Sequence, residues 1–222
     1  MIKETDFYVH FNLMNTAKNF INQFDNKTAL NQPTGNFFYD PWVIKEEYQG
    51  TIWEKILNTL DVPQGEARLI ILNPGESYMA HADIDDRYHL NIIGNNAFLI
   101  DISKQKMYPT TSNGKWYEMD ASRIHAATNY GDIPRAQLVV RKLLKRGNFY
   151  ESKHVTIIPK QQIYDYRYQF DNQISPCLNE LNRTKKMNNF QFSNDRVEFD
   201  IELSAIQELS NFDKSIFHIT YE

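Results

Sequence analysis

The sequence predicts a mainly β fold, with helices ahead of the sheet region and a mixed segment behind it. Three observations predict it. Between residues 67 and 144, six short runs ("ARLIIL", "YHLNII", "AFLIDI", "KWYEM", "RIHAAT" and "AQLVVRKLL") are rich in β-formers. Turn strings, "NPGE", "GNN", "SNG" and "YGDIP", separate them. No twelve-residue helical pattern interrupts the series, so a sandwich, a jelly roll or a barrel fits and alternating βα units do not.

In chain order, the first 65 residues read as helix and loop. "TAKNFINQF" spaces Ala17, Phe20, Ile21 and Phe24 as one helical face. Asp40 followed by Pro41 reads as a helix start, a cap residue with proline in the first turn. "TIWEKILNTL" places Ile52, Trp53, Ile56, Leu57 and Leu60 on one stripe, a helix that packs on a sheet. Behind the strands, "YDYRYQF" alternates from Tyr164 to Phe170 and "VEFDIEL" from Val197 to Leu203, both strand-like. "SAIQEL" has capping-box spacing from Ser204 to Gln207, and "SIFHITY" reads as a closing strand. One domain over 1–222 is expected: helical support over 1–65, a core over 66–146, and a C-terminal α+β extension over 147–222.

Composition narrows the function classes. The chain has 222 residues, long enough to bury a core without disulfides. Its net charge is −4, and it has no run of Lys and Arg to track phosphates, which argues against nucleic acid. One cysteine, Cys177, excludes an internal disulfide and fits a reducing cytoplasm. No stretch reaches the roughly 18 apolar residues of a membrane span. The N-terminus lacks the apolar core of a signal peptide. A small-molecule or peptide substrate is the expected partner.

"HADIDDRYHL", residues 81–90, concentrates titratable groups. His81 and Asp83 are two apart, so in an extended chain both point to one face and can bite one metal. His125, 42 residues after Asp83 on a predicted inner strand, is the candidate third ligand. Two histidines and one carboxylate form the facial triad of non-haem iron oxygenases, which leaves the opposite coordination face open. Arg135 follows His125 by ten residues across "YGDIP". Paired as a hairpin around that turn, Arg135 shares the face of His125 at about 13 Å, where a guanidinium suits the far carboxylate of a dicarboxylate.

These pieces, "LNPGESYMAHAD", "RYHLNI" and "WYEMDASRIHAATNYGDIPR", resemble the aspartyl/asparaginyl β-hydroxylase type of 2-oxoglutarate/Fe(II) oxygenase. Shared features are a leucine and Pro-Gly ahead of the first ligand, Arg-x-His-Leu, Trp before Asp, His-x-x-x-Asn, and an arginine ten residues past that histidine. The resemblance spans Leu72 to Arg135. It implies a double-stranded β-helix (a cupin-like jelly roll), Fe(II), 2-oxoglutarate as cosubstrate, and O2. By motif position His81, Asp83 and His125 would bind iron and Arg135 the distal carboxylate of 2-oxoglutarate. His89 would lie near its metal-proximal carboxylate, and Arg87 near that carboxylate or the substrate. Animal members carry glycine where this chain has Asp83. The complete triad is more similar to bacterial free-proline cis-hydroxylases. The implied reaction hydroxylates an amino-acid side chain, in a peptide or a free amino acid.

Each residue also has a plainer reading. His81 and Asp83 fit an exposed loop, His125 a core histidine, Arg135 a surface arginine, and Arg87 part of a local ion-pair cluster. Asn129 reads as a turn stabiliser, Trp116 as core, and Cys177 as an inert thiol. His10, His154 and His218 have no partner pattern. The conjunction of ligand types, order and shared faces favours the metal site. The competing classes are a non-catalytic cupin-like binding protein and a metal-dependent cupin isomerase or hydrolase, which has no need of Arg135.

Overall fold

A computed structural model describes residues 2–160, 170–193, 196–212 and 214–222. The Tyr164–Phe170 alternation therefore lies, but for Phe170, outside the described residues. The fold is mainly β, with several antiparallel sheets. The strands that matter most for the site are β5 (Gln64–Leu72), β6 (Arg87–Ile93), β7 (Ala97–Asp101), β8 (Lys106–Pro109), β9 (Lys115–Met119), β10 (His125–Asn129) and β11 (Arg135–Lys142). Ahead of them come β1 (Ile2–Tyr8), α1 (Phe11–Phe20), β2 (Lys27–Ala29), β3 (Asn31–Pro33), β4 (Trp42–Ile44) and α2 (Ile52–Leu57).

A six-stranded sheet has the order β1-β9-β6-β11-β5-β2, and a second, three-stranded sheet the order β10-β7-β8. Alternation sorts the large sheet's two faces. Ala67, Leu69 and Ile71 of β5, Leu90 and Ile92 of β6, and Leu138 and Val140 of β11 join Met14, Ala17, Trp53 and Ile56 of the helices in one core. The opposite face carries Glu66, Arg68, Arg87, His89, Gln137 and Arg141, and lines a cavity with Leu99 and Ala127 of the small sheet. Strand β6 is buried on both faces, and "RYHLNI" alternates accordingly: Tyr88, Leu90 and Ile92 face the helical core, while Arg87, His89 and Asn91 face the other way.

Strand β12 (Ser152–Pro159), α3 (Ser175–Arg183), β13 (Met187–Ser193), β14 (Arg196–Glu202) and β15 (Phe217–Tyr221) complete the chain. The order β13-β14-β12-β15 makes a separate sheet, with its own core around Val155, Leu178, Leu181, Phe190 and Phe199. Among the described residues, no helix is long and apolar enough to cross a membrane.

Several expectations change. The first 65 residues also supply sheet edges: β1 pairs with β9 and β2 with β5. The burial pattern of β1 is irregular, as befits an edge strand, so no period of two was visible. Asp40 starts no helix. Its carboxylate accepts from the Asn36 backbone N–H at 2.7 Å and from Arg146, closing a turn that leads into β4. Ser204 does not cap, because the chain enters a 3-10 helix at Leu203, one residue earlier. Most importantly, β10 and β11 do not form a hairpin. β10 pairs with β7, and β11 with β5 and β6. Asn129 redirects the chain between sheets: its side-chain amide donates to the Leu72 and Ile133 carbonyls, and its Oδ1 accepts from Gly131 N–H.

Candidate metal centre

The segment before β6 runs beside β10 as an irregular partner, joined at two isolated bridges, Ser77 with Thr128 and His81 with His125. Gly75 opens it at φ +80°, a conformation a side chain resists, with its N–H on the Asn129 carbonyl. His81 and His125 exchange backbone hydrogen bonds at 3.0 and 2.8 Å, and Asp83 N–H donates to Ala121 at 2.8 Å. These bonds bring three side chains together from two stretches of chain.

The ligating atoms of His81, Asp83 and His125 lie within 4.8 Å of one another. Asp83 Oδ2 is 3.7 Å from His81 Nε2 and 3.9 Å from His125 Nε2. Each Nδ1 faces a backbone carbonyl two residues earlier, Met79 at 2.9 Å and Arg123 at 2.8 Å. A carbonyl only accepts, so each Nδ1 carries the proton and, in the neutral ring, each Nε2 offers its lone pair to the centre. Burial opposes the Asp83 charge. Arg87, then His81 and His125, outweigh it and hold the carboxyl well below the usual carboxylate range.

Arg87 is committed: it donates to Asp83 Oδ1 at 3.0 Å and to Asp85. Asp85 also accepts from Arg141 Nη1 at 3.1 Å. Asp83 is thus fixed by one oxygen and leaves the other facing the histidines. His89 is buried, and among the described residues neither ring nitrogen has a well-formed hydrogen bond, although the Gln137 side chain lies close enough to favour its protonation against burial.

Arg135 is 1 % exposed. Nη2 donates to Gln137 Oε1, while Nε and Nη1 have no partner among the described residues. Burial brings its pKa down to about 10, against the opposing influence of the Tyr78 hydroxyl. Gln137 is held in turn by Asn91, whose Oδ1 accepts from its amide at 2.6 Å. The sequence reading passed over Gln137, Asn91 and Arg141. The alternation of β11, which puts Arg135, Gln137, Val139 and Arg141 on one face, was the signal that could have found two of them. Gln137, Val139 and Arg141 line a cavity of about 130 Å³ together with His81, Asp83, His89 and His125, while Arg135 lies behind its wall, reaching it through Gln137.

Other residues lie apart from this cavity. Trp116 is fully buried and donates to Thr59 Oγ1. Burial pushes the Cys177 thiol up to about 12. His10 accepts from Asn12 N–H at the start of α1, and His154 bonds Asp200.

Burial brings His125 down to about 4 and His89 to about 3, against 6.5 for an ordinary imidazole. Between those values the unfolded chain binds more protons than the folded one. The metal-free protein should therefore hold its full stability above pH 6.5. It should lose about 1.4 kcal/mol per pH unit for each ring as pH falls toward 4. Urea midpoints from pH 7 to 4.5 measure this, and a flat profile would mean that neither ring is sequestered.

Residues 50–143 match the family model described as Aspartyl/Asparaginyl beta-hydroxylase. The matched stretch runs from just before α2 to the end of β11 and contains His81, Asp83, Arg87, His89, His125 and Arg135. No curated protein matches the chain. Among solved structures, a cupin-superfamily sugar phosphate isomerase from Silicibacter pomeroyi is similar at 17 % identity and a TM-score of 0.30. The similarity covers 44 % of this chain and 58 % of that one, so the chain spans little more than half of the isomerase. AviO1 from Streptomyces viridochromogenes is similar at 11 % identity, a TM-score of 0.41, and coverage of 63 % and 88 %. Superpositions this loose carry no information about chemistry.

Proposed function

We propose that this chain is an Fe(II)- and 2-oxoglutarate-dependent oxygenase that hydroxylates an amino-acid side chain, built on a cupin-like jelly roll. The observation that carries the reading is one pairing of features. A His-Asp-His cluster lines a cavity, and Gln137 of the same cavity wall bonds a buried guanidinium, Arg135, two of whose donors lack a partner among the described residues. The family match supports a hydroxylase.

The donor set fits the metal. Two neutral imidazoles and one carboxylate suit Fe(II) and leave coordination positions open. The environment of Arg135 fits a dicarboxylate. A buried cation with unpaired N–H groups is costly unless an anion meets it, and a carboxylate meets a guanidinium through two parallel bonds. When bound, iron and 2-oxoglutarate supply the oxidising power: O2 delivers one oxygen atom to a substrate C–H and the other to succinate, with release of CO2.

The chain's own residues do the rest. His81 Nε2, Asp83 Oδ2 and His125 Nε2 would hold the metal, and the Met79 and Arg123 carbonyls keep both rings in the required tautomer. Arg87 orients Asp83. Arg135, steadied by Gln137 and Asn91, would hold the distal carboxylate. Burial keeps His89 neutral at pH 7, so it can stand near the metal-proximal carboxylate as a hydrogen-bond donor without adding charge. Ile70, Leu99, Ala127 and Val139 give the cavity apolar walls that limit water. The substrate is a side chain of a peptide or of a free amino acid.

Anaerobic titration of Fe(II) and 2-oxoglutarate into the protein tests this. A visible charge-transfer band is expected, because bidentate 2-oxoglutarate on iron produces one. Folded, iron-loaded protein without the band would sink the oxygenase reading.

A further inference from the structure

Arg183 lies in the last turn of α3, outside the stretch that matches the hydroxylase family. Its guanidinium reaches two carboxylates on two different stretches of chain. Nη2 lies 2.9 and 3.1 Å from Asp86 Oδ1 and Oδ2, and 2.9 Å from Asp120 Oδ1. Asn179, one turn earlier on α3, donates to the same Asp86 oxygen at 3.3 Å, and Ala121 N–H does so at 3.4 Å.

Asp86 ends the stretch that carries His81 and Asp83, and Asp120 begins the one that carries His125. Neither stretch is held here by a regular ladder. At this end they meet through the His81–His125 bridge, the Asp83-to-Ala121 bond and the Ala121 N–H on Asp86, the Ser77–Thr128 bridge lying further along. Asp120 is also held within its own stretch, by Ser122 and by Arg123 Nε at 3.5 Å, and Arg183 is the cation that ties it across to Asp86. The side chains of Asp86 and Asp120 are 15 % and 26 % exposed and that of Arg183 is 35 % exposed, so the pairing is half-buried and partly screened by solvent. The arm that delivers it is rigid, since Leu178 and Leu181 of α3 are fully buried in the C-terminal core.

We infer that Arg183 is a positioning residue for the metal centre, and that the C-terminal unit sets the ligand geometry by clamping both ligand-bearing stretches through it. The inference rests on the metal-site reading above. Groups that orient metal ligands typically change affinity about 10- to 100-fold when removed.

The test is Mn(II) binding to the full chain, followed by electron paramagnetic resonance, with the visible spectrum of the Co(II) form as a reporter of ligand geometry. Arg183→Ala should weaken Mn(II) binding about 10- to 100-fold and alter the Co(II) spectrum. Arg183→Lys keeps the charge without the planar fork and should lose less. Arg196→Ala removes a cation that pairs with Glu198 inside the C-terminal sheet, and should leave both readouts as in the wild type. Wild-type affinity and spectrum in both Arg183 variants would overturn the inference, as would equal losses in Arg196→Ala. If Arg183→Ala does not fold, Arg183→Lys decides. Wild-type protein that binds no Mn(II) would overturn the metal-site reading itself, a failure distinct from that of the clamp.

Discussion

Asp83→Ala is expected to abolish metal-dependent formation of succinate from 2-oxoglutarate. The carboxylate supplies the one anionic ligand atom of the cluster, at 3.7 and 3.9 Å from the two imidazole nitrogens. Without it, two neutral rings face a dication in a region crowded with arginines. Changes to groups that merely orient ligands cost about 10- to 100-fold in affinity, so loss of the ligand itself should exceed about 100-fold. The fold should survive. Arg87 keeps its bond to Asp85, and one lost charged hydrogen bond costs about 1.5–3 kcal/mol. Mn(II) affinity and succinate yield are the measurements. Turnover that persists in Asp83→Ala would mean that two histidines suffice, as the resemblance implies for relatives with glycine at this position, and would remove Asp83 from the ligand set.

Arg135→Met should act in opposite directions on the ligand-free and liganded protein. With Nε and Nη1 unpaired at 1 % exposure, Arg135 burdens the empty fold. Methionine fills similar space without a charge to desolvate, so the ligand-free variant should match or exceed the wild type in melting temperature. The ligand side loses a charge-assisted pair. Removing one partner of a buried pair costs about 2–5 kcal/mol, or roughly 30-fold to several thousandfold in the 2-oxoglutarate requirement. The thermal shift that 2-oxoglutarate gives the Mn(II)-loaded wild type should disappear at the same ligand concentration. A 2-oxoglutarate affinity within threefold of wild type would exclude Arg135 from the cosubstrate site.

Parts of the candidate site were legible because they are local, although His125 joins His81 and Asp83 only through tertiary pairing. His81 and Asp83 are two residues apart, and Arg135, Gln137 and Arg141 share one face of β11, so backbone alternation alone decides which side chains can meet. Arg135 illustrates the limit. The hairpin assumed for it does not exist: β10 and β11 lie in different sheets. The inward direction of Arg135 survived the error, because parity along a strand is the same whichever strand lies beside it. Arg87 shows the reverse. Its motif position was readable, but its commitment to Asp83 and Asp85 depends on how the loop before β6 folds back.

The sequence by itself determined the mainly β class, α2, a helix in the region of α1 (though it runs Phe11–Phe20 rather than through Phe24), the alternation of β11 and β14, and the side chains offered to a common face. These follow from periods of 3.6 and 2.0, which covalent geometry imposes on any stretch of chain. Tertiary structure alone decided that β1 and β2 would edge the large sheet, that β10 would leave β11 for β7, and that Arg183 would reach Asp86 across 97 residues. Those choices depend on which apolar faces bury together and which backbone groups then remain to be paired. They are made between segments far apart in the chain, and no local period records them.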